Sequence, residues 1–432
     1  MKQPSSILLK GARLIDISQN IDEIKDVLIQ QGEITAIDTN IPDHPDTPTM
    51  DLKGKWIVPG LLDMHVHLRE PGEEYKETIA TGTMAAAAGG FTAVACMPNT
   101  TPVNDTSAIT RFIIEKSLAE GHSRVYPVAS ITKGQKGENL TEFGDLKSAG
   151  AIALSDDGYP VKNAQLMRIA LEYALSFDML IISHAEEMEL SSEGCMNEGR
   201  ISTMLGLKGI PRAAEEVAIY RDIRLAAFTG ARLHIAHVST KESVNAIREA
   251  KKQGIHVTCE TAPHYFSLTE EAVIGYNTLA KMNPPLRTEE DRQAIIQGLQ
   301  DGTIDAIATD HAPHSVLEKE LEFAVAANGI IGLETALPLT LNLVRDGILS
   351  PKDMVRLMSY SPAKILGLRP RELKENSMAD LTVIDPDTEF TVTPQTLASK
   401  AHNTPFLGQK LRGRALLTIC DGTITHDISD KN

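Results

Sequence analysis

The chain has 432 residues, 42% hydrophobic and 23% charged, which suits a globular protein with one large core and a small appendage. A formal net charge of −16 argues against nucleic acid and anionic membrane surfaces as partners. The four cysteines, Cys96, Cys195, Cys259 and Cys420, form no C-x-x-C pair and suit a reducing cytoplasm, each packing as a small apolar side chain.

Residues 1–58 read as short strands. Runs at 6–9, 26–30 and 33–38 are β-branched or alternate in polarity, punctuated by Gly11 and Gln31-Gly32. The apolar run Ile7-Leu8-Leu9 is too short for a signal-peptide core, and no later stretch approaches the roughly 20 residues of a membrane span. A cytoplasmic protein with no membrane contact is expected.

From residue 57 the pattern changes. Eight strand-like runs, at 57–67, 91–98, 124–130, 151–157, 179–186, 232–239, 256–264 and 306–314, are separated by segments that include helix-like runs. The helical spacing is clear at 75–88, 106–120, 163–176, 212–228, 241–253 and 289–299, and glycines such as Gly121 and Gly254 stand where helices should stop. Eight such units predict an α/β fold, a (β/α)8 barrel over 59–376 with its chemistry on the loops after the strands. Segments 332–345 and 352–359 read as helices, and Ser361-Pro362 breaks the pattern. Short strands return at 381–384, 390–392 and 415–420, so 1–58 and 377–432 are expected to pair into one small β domain.

The histidines and carboxylates fall at the expected strand ends. His65 and His67 end the first; side chains two apart on a strand share a face, so both imidazoles can reach one cation. Asp156-Asp157 end the fourth, His184 the fifth, His237 the sixth and Asp310 the eighth. Strand phase favours Asp157 over Asp156, because Asp157 alternates with Ala151, Ala153 and Ser155 whereas Asp156 shares the face of Ile152 and Leu154. Imidazole with carboxylate suits Zn2+ first and Mn2+ or Co2+ next. Four histidines and two aspartates exceed what one catalytic zinc needs and suit two ions roughly 3.5–4 Å apart. Asp310 can also carry a proton between water and a leaving nitrogen. Arg69, two residues past the histidine pair, suits a bidentate clamp on a substrate carboxylate, and Asn99, Asn283 and His314 stand where they can join it.

Several long motifs occur in order: Gly60-Leu61-Leu62-Asp63-Met64-His65-Val66-His67-Leu68-Arg69-Glu70-Pro71, Met97-Pro98-Asn99-Thr100, Ser155-Asp156-Asp157-Gly158, Ile235-Ala236-His237-Val238, Lys281-Met282-Asn283-Pro284-Pro285, Thr309-Asp310-His311-Ala312-Pro313-His314 and Asn403-Thr404-Pro405-Phe406. With them the chain resembles, over nearly its whole length, the bacterial type I dihydroorotases of the amidohydrolase superfamily, in which an aspartate replaces the carboxylated lysine that bridges the metals in many relatives. The resemblance implies two zinc ions per subunit on His65, His67, Asp157, His184, His237 and Asp310, with Asp310 as proton carrier. It implies substrate contacts from His67, Arg69, Asn99, Asn283, His314, Asn328 and Gly329. The expected activity is reversible cyclisation of N-carbamoyl-L-aspartate to (S)-dihydroorotate in pyrimidine synthesis. A homodimer and association with aspartate transcarbamoylase are the partners it brings into view. One departure is visible: Ala327-Asn328-Gly329 stands where the family often has Pro-Phe-Gly. The rival readings are a hydantoinase or allantoinase acting on a neutral ring, against which Arg69 argues, and a silent scaffold, against which the six intact ligands argue. Residues 315–327 are the candidate lid.

Overall fold

Strand and helix alternate through the middle of the chain in a computed structural model that describes residues 6–429. Residues 1–5 and 430–432, the ends of the span expected to form the small β domain, lie outside the described part.

The barrel strands are Leu61–Val66, Phe91–Cys96, Arg124–Ala129, Ala153–Ser155, Leu180–Ser183, Leu233–Ile235, Val257–Thr261 and Ala306–Ile307, each parallel to the next. A bridge from Val66 to His311, with the His67 amide donating to the His311 carbonyl at 2.8 Å, closes the ring between first and last. The interior is lined by small or slender side chains, among them Ala93, Ala95, Ala153, Ile182, Ala236, Ala306 and Ala308, because an eight-stranded barrel leaves little room. The alternate positions, including Val94, Leu154, Ile181, Leu233 and Ile307, pack outward against the helices.

The expected strands end earlier than their sequence runs suggest. Residues 57–59 are not barrel: Trp56–Pro59 pairs with Ser6–Asp16 and Leu381–Thr391 in the terminal sheet. Gly60 makes the turn between the two sheets, where a Cβ would collide with Thr92 and Asp380. The run 306–314 keeps only Ala306–Ile307 as strand, since Asp310 takes a left-handed φ of 49°. His264 lies in the short helix Pro263–Ser267, not on a strand. Pro362 does not end the helical segment. Pro351–Val355, a π turn at Arg356–Tyr360 and Ser361–Ile365 follow without interruption, and Pro362 sits in the first turn of the last piece, where its missing N–H is tolerated. The sequence marks Gly150 as a helix stop, and the helix Phe143–Ala149 before the fourth strand does end there, with Gly150 at φ 108°.

The terminal sheet runs Ser377–Met378, Glu33–Asp38, Ile21–Gln30, Ser6–Asp16, Trp56–Pro59, Leu381–Thr391, Lys410–Cys420, Thr423–Asp427, with Thr49–Asp51 beside Ser6–Asp16. The runs 381–384 and 390–392 are thus one strand, bulged between Asp385 and Glu389. The sheet has its own core, including Leu9, Leu14, Val27, Ile57, Val383 and Leu417. All four cysteines are free and buried. Among the described residues no helix is long and apolar enough to cross a membrane.

Candidate metal centre

At the open end of the barrel, the loops after the strands enclose a cavity of about 250 Å³. His67, Arg69, Asn99, Asp157, His184, His237, Asn283, Asp310, His314, Asn328 and Gly329 all line it, and His65 lies just beneath. A register shift between Asp63 and Val66 lets His65 and His67 both face inward. Three residues of the site hold left-handed backbone, Arg69 (φ 63°), His237 (φ 36°) and Asp310 (φ 49°), a strain that fixed surroundings must maintain.

Asp157 is the hub. Its Oδ1 lies 3.3 Å from His65 Nε2 and 3.5 Å from both His184 Nδ1 and His237 Nε2, while Oδ2 lies 3.5 Å from His67 Nε2. Asp310 Oδ1 is 3.2 Å from His67 Nε2 and 3.6 Å from His65 Nε2. Asp156 turns the other way, accepting the backbone N–H of Ile131 at 2.8 Å and of Thr132 at 3.0 Å. Two sets, His65 with His67 and Asp310, and His65 with Asp157 and His237, each bring one ligand atom per residue within 4.8 Å of the others. His65 Nε2 and Asp157 Oδ1 are buried and face each other without a hydrogen bond. Polar atoms aimed at a common point and left unsatisfied there fit a cation.

The electrostatics agree. Burial would push the imidazoles down, yet Asp157 and Glu260 hold His65 well above its ordinary value, and Asp157 with Glu186 raises His184 to about 10. Burial likewise opposes ionisation of the carboxylates, but His65 and its neighbours keep Asp157 well below the usual range, and His67 with His65 does the same for Asp310. A site that grips protons this firmly holds more buried negative charge than neutral imidazoles balance. Divalent cations in place of those protons restore the balance.

The other expected residues have defined partners. His67 Nδ1 is 2.7 Å from Asn99 Oδ1, which leaves its Nε2 for the cavity. Asn283 Nδ2 donates to Glu186 Oε2 at 3.0 Å, and that carboxylate is 3.3 Å from His184 Nε2. Arg69 Nε donates to the Pro313 carbonyl at 3.1 Å, and its nearest acid, Glu73, is 4.0 Å away. His314 Nε2 is 2.7 Å from the Asn328 carbonyl. The Gly329 amide donates to the Lys281 carbonyl at 3.0 Å, so that N–H is already engaged within the protein. His264 is buried outside the cavity lining and lowered by burial to about 4. Within 315–327, Val316–Lys319 is helical, and Ser315 and Glu318 form its capping box.

Sequence reasoning missed Glu260 and Glu186, and it singled out Asn403 only as part of a motif, with no role. Glu260 is 2.7 Å from His65 Nδ1 and 3.2 Å from His234 Nε2. A carboxylate inside the otherwise uncharged, β-branched-rich strand run 257–261 was its only trace. Asn403 donates to the carbonyls of Ala312 and Gly329, both at 3.0 Å, and accepts the His314 amide at 3.0 Å, joining two walls of the cavity.

The whole arrangement, barrel and terminal sheet together, is shared with solved hydantoinases. L-hydantoinase (dihydropyrimidinase) from Arthrobacter aurescens aligns over 98% of this chain and 96% of its own, with TM-score 0.86 and 26% identity. The protein is a cyclic amidohydrolase. Sequence narrows the class further. A family model described as "Dihydro-orotase-like" matches residues 54–243. The dihydroorotase of Geotalea daltonii is 58% identical over 98% of this chain and 99% of its own, and that of Desulfotalea psychrophila 61% identical over 96% and 98%. The chain belongs to the dihydroorotase family, and dihydroorotase is its function.

Proposed function

We propose that this cavity carries out the reversible closure of N-carbamoyl-L-aspartate to (S)-dihydroorotate and water, with two Zn2+ held by His65, His67, Asp157, His184, His237 and Asp310. The observation that carries the assignment is the approach of one carboxylate, Asp157, to four imidazoles within 3.5 Å. When bound, the cations supply Lewis acidity and make water acidic enough to attack an amide at neutral pH.

The chain's own groups supply the rest. In the hydrolytic direction Asp310, ionised in the resting site, takes the proton of the attacking water and delivers it to the ring nitrogen as the C–N bond breaks. Its contact with His67 at 3.2 Å keeps that oxygen at the reacting centre. Arg69 is 8% exposed, with Nη1 4.0 Å from Glu73 and Nη2 3.4 Å from His314 Nε2, long contacts that a ring carboxylate can replace. Burial, with Arg69, Lys76 and Lys319 adding to it, lowers His314 to about 3. His314 is therefore neutral and donates from Nε2 to the Asn328 carbonyl, holding that wall in place. Asn99 Oδ1 is committed to His67, so its amide NH2 is the part that meets substrate.

A neutral hydantoin offers nothing to Arg69, which favours the acid-bearing ring. The test is turnover of dihydroorotate beside hydantoin, before and after metal is stripped by a chelator. Dihydroorotate alone should be opened, and only by the metal-loaded protein; equal rates on both rings would overturn the substrate assignment.

A further inference from the structure

We propose that Lys319, with Lys281 beside it, is a specificity device: an unpaired cationic backing to the Asn328–Gly329 wall that selects anionic rings over neutral ones. The inference rests on the reading of the cavity as a dihydroorotate site.

Lys319 is 3% exposed. Its Nζ lies 2.7 Å from the Ala327 carbonyl oxygen, 3.1 Å from that of Gly329 and 3.2 Å from that of Lys281. Lys281, 4% exposed, donates from Nζ to the carbonyls of Ala326 at 2.6 Å and Ala324 at 2.9 Å. Among the described residues neither lysine forms an ion pair with a carboxylate. Lys76 nearby is the contrast, bound to Glu73 at 2.8 Å and Glu318 at 3.0 Å. Burying an ammonium without a counter-ion is unfavourable, and carbonyl dipoles offset only part of it. Burial and the Lys281 charge bring Lys319 down to about 7. Three carbonyl acceptors nevertheless call for three N–H bonds, which only the ammonium form has.

The charge is placed to act on a ligand. Gly329 lines the cavity and turns its carbonyl to Lys319, so the ammonium stands directly behind the surface a substrate meets. His314, on the same wall, is depressed first by burial and then by the charges of Arg69, Lys76 and Lys319, in keeping with a cationic backing there. The molecule as a whole carries −16 and repels anions, so the attraction must be local. Arg69 provides it in front of the wall and the two lysines from behind, whereas a ring without a carboxylate gains nothing from either.

The test uses the zinc-loaded full chain and two probes of one shape, orotate and uracil, the second lacking the carboxylate. Lys319→Met should weaken orotate binding, read by calorimetry, about tenfold or more. Uracil binding should be unchanged, and kcat for dihydroorotate should stay within about threefold while KM rises. Equal losses for both probes would mean that Lys319 only shapes the loop, and no loss for either would remove its charge from recognition; each overturns the proposal. Should Lys319→Met fail to fold, Lys281→Met decides by the same ratio, with about a threefold selective loss of orotate expected and an unchanged ratio overturning the idea. Should the wild type bind orotate over uracil yet leave dihydroorotate intact, the substrate reading fails while the role of the lysines stands.

Discussion

His65 Nδ1 lies 2.7 Å from Glu260 Oε1, and that contact decides which nitrogen of His65 is left for the cavity. With Nδ1 committed as donor, Nε2 faces Asp157 at 3.3 Å as a lone pair. His234 braces the other carboxylate oxygen at 3.2 Å. Glu260→Gln leaves a neutral acceptor in the same place, so the fold should survive while the imidazole becomes a poorer ligand. Zinc affinity is expected to fall about 10- to 100-fold, measured by competition with a chromophoric chelator. Affinity within twofold of wild type would show that the contact plays no part in ligation.

Asp310 is the one proposed ligand that is also asked to move a proton. Asp310→Asn keeps the shape and removes the basicity. Turnover of dihydroorotate should drop by about 10²–10⁴, with circular dichroism unchanged. A variant retaining a tenth or more of the wild-type rate would transfer the proton-carrying role to another group.

Arg69→Met should separate binding from chemistry. The guanidinium is lost, while the metal-facing groups keep their partners. One charge-assisted pair contributes about 1.5–3 kcal/mol, so KM for dihydroorotate should rise roughly 10- to 100-fold. Bound zinc, read by atomic absorption, should be undiminished. An unaltered KM would mean that the carboxylate binds elsewhere.

Glu334 gives a pH dependence that can be signed. Burial raises its pKa from 4.5 to about 7, against the N–H groups of Ala398 and Ser399. The folded form therefore binds the proton more tightly than the unfolded chain, and this group's contribution to stability declines as pH climbs from about 4.5 to about 7, then levels off. The shift corresponds to at most about 3 kcal/mol. In urea titrations across that window, Glu334→Gln should show a flatter profile than wild type. Parallel profiles would mean that the carboxyl titrates normally.

The barrel was legible because its strands are apolar runs bounded by glycine and alternate with helical spacing, as Phe91–Cys96 and the helix Ser107–Glu120 show. Alternation also separated the two neighbouring aspartates: the face shared with Ala153 turns Asp157 into the cavity, and the face of Leu154 turns Asp156 toward Thr132. Strand ends were not legible. At His237 and Asp310 the backbone leaves the extended region, and nothing in the side chains announces a left-handed φ. Pro362 misled for a related reason, since a π turn shifts the hydrogen bonding that a proline would otherwise interrupt. Supporting partners were the least visible. Glu260 meets His65 across 195 positions of chain, and Asn403 reaches the cavity from a segment beyond the barrel. Such contacts are made by packing and leave no local spacing to read.

Trp56–Pro59 is flanked by Ser6–Asp16 on one side and Leu381–Thr391 on the other. During synthesis the first of these neighbours has left the ribosome before the strand itself, but the second emerges more than three hundred residues later. Wherever the first strands pair before residue 381 is made, Trp56–Pro59 is an uncovered sheet edge. Only Leu381–Thr391 covers that flank, so a variant cut back to before residue 381 would leave the backbone of Trp56–Pro59 open to pairing with another chain.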